Sequence, residues 1–391
     1  MDQVGMSQAG KLWDHFLQRR SAVGLALFRV VYSLALLGEV SELIWFRHLI
    51  FDPVPYEIPA SWPVDLMLFV WIPVTVCLMF GLWTRLMTIL NYGFTLMTFG
   101  VFLLWEYHID YVYCGINLLL IFVPVEEVLS VDRIRRDRMS TSSKEWACSV
   151  PRIHYDALIF VGIALVYFDS VFHKLSTRMW TEGLGLWQAL ALPHTSIVNV
   201  GWLLDQEWLM YFLGYLALVF ECAFLPLMWI DRFRPLLLVI GAGMHLGILC
   251  AFPIPWFAIG MLSLYLLLVP DQWWKGIASK TEGFVRSNPT DVAEIQTESS
   301  AWASRQIRGR SQAAIVGAIA LTCFVLQSLQ TCRSPLAHTI SSKLGCSGFM
   351  TNMAQVAARL HPLSRRWFGA TPHTVYLFFN YNDNNKIYTL V

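Results

Sequence analysis

Apolar blocks, each close to the ~20 residues a helix needs to cross a hydrocarbon layer, recur along this sequence with short polar stretches between them. They fall at roughly 24–46, 64–83, 86–104, 110–125, 156–174, 208–230, 235–252, 254–270 and 313–330. A water-soluble fold could not hide so many blocks. Only 14% of the residues are charged, against about 25% in a soluble domain, which is too few to cover a surface. Seventeen Trp and fourteen Tyr gather near block ends, as at Trp45, Trp83, Trp105, Trp202, Trp208, Trp273 and Trp274, where an aromatic belt meets the headgroups. The spacing predicts an all-α membrane protein, a polytopic bundle of about nine transmembrane helices. Pro253 and Pro255 separate the seventh block from the eighth, as a tight turn or a re-entrant pair would.

The expected organisation is a cytoplasmic N-terminal segment (1–23), a transmembrane domain (24–330) and a C-terminal tail (331–391). Loops at about 126–155 and 271–312 read as cytoplasmic. Lys and Arg counts set the orientation: the inner loops take Lys11, Arg19, Arg20, Arg85, Arg232, Arg234 and two groups of six basic residues at 133–152 and 275–310. The outer loops keep only Arg47, Lys174 and Arg178. This predicts a cytoplasmic N-terminus and a lumenal or periplasmic tail. The N-terminus lacks a signal-peptide core, so the first span would be the insertion signal. The tail ends in YLFFNYNDNNKIYTLV, two β-like runs around a turn. It reads as the start of a β domain that stops short.

A net charge of +1 argues against nucleic acid, which needs a basic face. Cys77, Cys114, Cys222, Cys250 and Cys323 lie in apolar blocks as small core residues. No Cys/His spacing suits a metal. Cys332 and Cys346 share the polar tail and could form a disulfide in an oxidising compartment.

Charged and polar side chains inside spans are costly and point to function. The densest group is YFDSVFHKLSTRMWTEG (167–183). Asp169 and His173 stand four apart on one helix face. Lys174, at the helix end, either snorkels to the interface or sits desolvated as a general base. Arg29 and Glu221 are the deepest ionisable groups and read as a structural ion pair. His245 lies among small residues in GAGMHLGIL, a place for a helix or ligand to approach. Glu106, His108 and Glu182 fall on the same predicted membrane face as Lys174.

Several segments in order resemble the HTTM family, the transmembrane domain shared with vitamin K-dependent gamma-carboxylase. They are LALFRVVYSLALLGEVSEL (25–43), FGLWTRL (80–86), NLLLIFVPVEEVLSVDRI (117–134) with Ser130 and Asp132, and YFDSVFHKL followed by WTEG (180–183). MHLGILCAFPIPWFAIGML (244–262) and RRWFGATPHTVYLFF (365–379) complete the set. The resemblance implies a lyase that couples quinone epoxidation to carboxylation. Lys174 would be the base that deprotonates vitamin K hydroquinone or a related quinol. Oxygen and carbon dioxide would be co-substrates, a glutamate-containing peptide the acceptor, and no metal is implied. His173 and Asp169 would tune Lys174. His108, Trp180, Glu182, His245 and Phe172 would bind the quinone. Two departures stand out: Glu127 replaces a His of the animal carboxylases, and one extra residue separates Lys174 from Trp180. The alternatives are a quinol epoxidase that does not carboxylate glutamate, and a non-catalytic membrane scaffold or transporter.

Overall fold

The computed structural model describes residues 8–61, 63–101, 108–139, 149–191, 197–274, 276 and 299–373. Helix α1 (Gln8–Leu17) leads into strand β1 (Arg19–Ser21), then α2 (Val23–Trp45), α3 (Val64–Phe80), α4 (Thr84–Val101), α5 (His108–Leu120) and α6 (Val131–Met139). Strand β2 (Ser149–Pro151) pairs antiparallel with β1. After it come α7 (Ile153–Lys174), with a π turn at Phe160–Ala164, α8 (Glu207–Leu227), α9 (Arg234–Ala251) and α10 (Pro255–Tyr265). The last described elements are α11 (Ser299–Thr331), α12 (Pro335–Lys343) and α13 (Ser347–Phe368).

Among the described residues, five helices are long and apolar enough to cross a bilayer: Val23–Trp45, Ile153–Lys174, Glu207–Leu227, Asp231–Ala251 and Gly309–Thr331. Val64–Phe80 and Pro255–Leu268 are apolar but shorter. The protein is therefore a helical membrane protein. The first expected span, 24–46, agrees with α2 to within a residue, and the break between α9 and α10 falls at Pro253 and Pro255 as expected. Helix α11 begins at Ser299, within the expected 271–312 loop, and its apolar span starts at Gly309. The described part of the tail forms α12 and α13; the β-like runs from 376 lie outside the described residues.

The chain divides into two compact units. In the unit made of 1–94, 116–159 and 263–321, α2 packs on α3 through Leu25, Phe28, Tyr32, Leu36 and Val40. Lipid is as apolar as a core, so packing and polar contacts rather than water exclusion hold such helices together. Several buried polar groups here pair with one another or with the backbone. The Tyr32 hydroxyl donates to Asn117 Oδ1 at 2.9 Å, and the Trp71 indole donates to Asn91 Oδ1 at 2.7 Å. The Tyr155 hydroxyl donates to Ser21 O and accepts from Leu25 N–H.

The same unit contains a turn lock. Helix α3 ends at Gly81, whose φ of +65° favours a residue free of a Cβ. A Cβ there would also lie 2.4 Å from Ser130 Cβ and 2.7 Å from Arg29 Nη1. Asp132 N–H donates to Gly81 O. The Asp132 carboxylate accepts from Trp83 N–H and from both Thr84 N–H and its hydroxyl, at 2.7–2.9 Å. Desolvation pushes the Asp132 carboxyl up, but the Thr84 and Trp83 hydrogen bonds and Arg136 outweigh it and hold it below the usual carboxylate range. Arg85 donates to Ile121 O and Val123 O and pairs with Glu126 at 3.1 Å. The segments FGLWTRL and LSVDRI thus form one interlocked structure.

In the unit made of 95–115, 160–262 and 322–391, the C-terminal part of α7 packs on α8. Tyr167 meets Phe220 and Phe224 edge-on at 5.9 and 5.3 Å. The end of α11 anchors α13 and the chain beyond it: Gln330 donates to Ala357 O and Ser364 Oγ, and Gln327 donates to Thr371 O at 2.8 Å.

Candidate functional site

Lys174 is the last residue of α7 and is buried together with Glu221, midway along α8. Their Nζ and Oε1 atoms are 2.5 Å apart, with only 10% and 7% of the side chains exposed. The chain after Lys174 folds back through the short helix Arg178–Thr181, which places the Trp180 ring 4.3 Å from Nζ. A cation over an indole face is an attractive contact, stronger when water is excluded. Glycines make the fold-back feasible. Gly183 has φ +79°, and a Cβ at Gly185 would fall 2.3 Å from Trp180 Cδ2. A Cβ at Gly214 would sit 2.7 Å from Gly183 O, so α8 approaches the turn at backbone distance. Among the described residues Glu221 Oε2 is buried with no hydrogen-bond partner.

One turn earlier on α7, Asp169 is fully buried and gathers distant segments. The Thr331 hydroxyl donates to its Oδ1 and His373 N–H to its Oδ2, both at 2.5 Å. His173 Nε2 lies 3.6 Å from Oδ2, beyond hydrogen-bond range. Both ring nitrogens of His173 are buried without a partner among the described residues. Nearby, Tyr111, Gly115, Leu165, Cys323, Gln327 and His373 help line a cavity with about 20 Å³ of room for a water-sized sphere. That suffices for a water and is far below the several hundred Å³ usual for a ring-bearing ligand.

The structure thus brings Lys174, Trp180, His173 and Asp169 into one region. His245 is buried, with Nδ1 3.0 Å from Gly241 O and its ring 5.7 Å from Phe257, and it lies within electrostatic range of Lys174. Phe172 packs edge-on against Phe168. Glu182 is not part of the site, because it forms an exposed pair with Arg178 at 2.7 Å. The side chain of His108, like Glu106, lies outside the described residues. The expected Arg29–Glu221 pair is corrected. Arg29 donates to Val125 O at 2.7 Å and to Leu129 O, whereas Glu221 binds Lys174. The expected disulfide is also corrected: Cys332 and Cys346 are free thiols, and the Cys332 S–H donates to Ser328 O one turn back. Glu127 is held by Arg136 at 3.2 Å. Sequence reasoning missed Thr331 altogether. It met His373 only within the Thr-Pro-His segment, where a backbone N–H carries no side-chain signal. Among the described residues no three His, Cys, Asp or Glu side chains gather as metal ligands would.

Apolar helices long enough to cross a bilayer, one of them ending in a buried lysine–glutamate pair, define a polytopic helical membrane protein. The model of the HTTM domain matches residues 18–273, most of the chain, and the protein belongs to that family. No curated protein and no solved structure matches it. The matched stretch contains Lys174, Trp180 and Glu221 but ends before Thr331 and His373.

Proposed function

We propose that this protein is a quinol-using membrane enzyme similar to vitamin K-dependent gamma-carboxylase, with Lys174 as the base. The observation that carries this reading is the buried Lys174–Glu221 contact at 2.5 Å beneath Trp180. A lysine that snorkelled would reach headgroups; this one is turned to a carboxylate. The site also suits a hydroxyl-bearing ring: Glu221 Oε2 is a buried acceptor without a donor among the described residues, and Trp180 supplies an aromatic wall.

Lys174 is the group placed to take a proton from a hydroxyl, and Glu221 is its partner at 2.5 Å. A bound quinol would set its hydroxyl at Nζ, where the Glu221 carboxylate and the Trp180 face would stabilise positive charge. When bound, the quinol supplies with O2 the chemistry that removes a γ-proton from a peptide glutamate, where CO2 adds. His245, buried against Phe257, and His173, one position before Lys174, are the proposed partners for the ring oxygens. On the same reading the chain crosses the membrane nine times, with a cytoplasmic N-terminus and the Lys174 end facing the lumen or periplasm. A second reading, quinol epoxidation without carboxylation, is favoured by Glu127, whose carboxylate is held by Arg136.

The test is purified protein in nanodiscs with vitamin K hydroquinone, O2, labelled bicarbonate and a glutamate-rich peptide. Lys174→Ala is the control. Epoxide and label that both disappear in the variant support the carboxylase. Epoxide without label selects the second reading. Failure across a panel of quinols, in folded protein, turns the assignment to a scaffold or transporter.

A further inference from the structure

The exposed face of α6 has a chemistry that the quinol site does not use. Its sequence, VDRIRRDRM, carries four arginines, and the adjoining carboxylates can be accounted for one at a time. Asp137 takes Arg133 at 2.9 Å and Glu127 takes Arg136 at 3.2 Å. Glu126 is with Arg85, and Asp132 accepts the Trp83 and Thr84 hydrogen bonds. Arg135 and Arg138 are left with no carboxylate partner among the described residues. They stand three apart, hence on one face of the helix.

Arg135 lies 5.6 Å from the Trp83 ring centroid. Trp83 is exposed and sits in the turn between the apolar helices α3 and α4. An exposed indole at such a junction marks the interface between hydrocarbon and headgroups. Leu129, Ile134 and Met139, beside the arginines, are also exposed. An apolar rim with two unmatched guanidinium groups at headgroup depth suits a phosphate joined to acyl chains. Water-soluble phosphates would leave the rim bare.

We propose that Arg135, Arg138 and Trp83 form a binding site for the headgroup of an anionic phospholipid. The guanidinium groups hold the phosphate by forked hydrogen bonds, while Trp83, Leu129 and Ile134 contact the first methylenes. The site is independent of Lys174 and of the proposed reaction.

Native mass spectrometry of the full chain, released from nanodiscs of mixed phosphatidylglycerol and phosphatidylcholine, tests this. The wild type is expected to retain phosphatidylglycerol preferentially. Arg135→Gln with Arg138→Gln is expected to reduce that preference by about fivefold per arginine, while the Lys double variant, which keeps the charge without the fork, falls between it and the wild type. Both side chains are exposed, so unchanged melting of the variants shows that folding is intact. Equal retention by the Gln double variant would overturn the site. Displacement by soluble glycerol phosphate as effective as by the lipid would overturn the lipid assignment.

Discussion

Replacing Lys174 with Met, or Glu221 with Leu, removes one half of a buried ion pair and leaves the other charge without its partner. Breaking a buried pair in this way costs about 3–5 kcal/mol. The structure makes the two replacements unequal. Without Glu221, the Lys174 ammonium still faces the Trp180 ring, a contact worth up to about 2 kcal/mol when desolvated. Glu221→Leu should therefore cost about 1–3 kcal/mol. Without Lys174, Glu221 Oε1 loses its donor, and Oε2 already lacks one among the described residues. Lys174→Met should cost the full ~3–5 kcal/mol. The double variant removes both charges and should return to within about 1 kcal/mol of wild type. Unfolding in mixed micelles, titrated with a denaturing detergent, reads all four proteins. Single costs under about 1 kcal/mol that simply add would refute the argument, since they would mean that both groups reach water or headgroups.

Asp169→Ala leaves the Thr331 hydroxyl and His373 N–H without their acceptor, at about 2–4 kcal/mol for two buried donors. Hydrogen exchange at 371–373 should speed up, and Asp169→Asn, which keeps one acceptor oxygen, should fall between. Gly81→Ala should lower stability by about 2–4 kcal/mol, combining left-handed strain with overpacking against Ser130; a melting temperature equal to wild type would refute it. Asp132 has a carboxyl depressed in the fold, so its contribution is present above the ordinary aspartate range and is lost as pH falls through its lower folded value. Asp132→Asn should remove that component, visible as a flatter acid limb in a stability–pH series.

Elements whose ends depend on local chemistry were legible in the sequence. The ends of α2 follow from an apolar run, and the α9–α10 break follows from two prolines. Lys174, Asp169 and His173 stood out because charge in an apolar run is costly, although a snorkelling lysine was the open alternative for Lys174. Partners were not legible. Glu221 was matched to Arg29 as one deep charge to another, yet Arg29 donates to backbone carbonyls at 125 and 129, which are identical in every sequence. Glu182 shared a motif with Trp180, but its four-residue spacing to Arg178 already offered a local ion pair. Helix α13 was not read from the sequence, although Gly369, at φ +68°, is the kind of residue that stops a helix.

Asp169 has a consequence for modularity. The family match closes at residue 273, yet two hydrogen bonds to this carboxylate come from Thr331 and His373. A transplanted segment cut at the family boundary would keep Lys174, Trp180 and Glu221 while stripping Asp169, one turn away, of those two donors. The inherited segment and the working unit therefore have different edges. Any attempt to graft or minimise this fold should track the hydrogen bonds of Asp169 rather than the limits of sequence likeness.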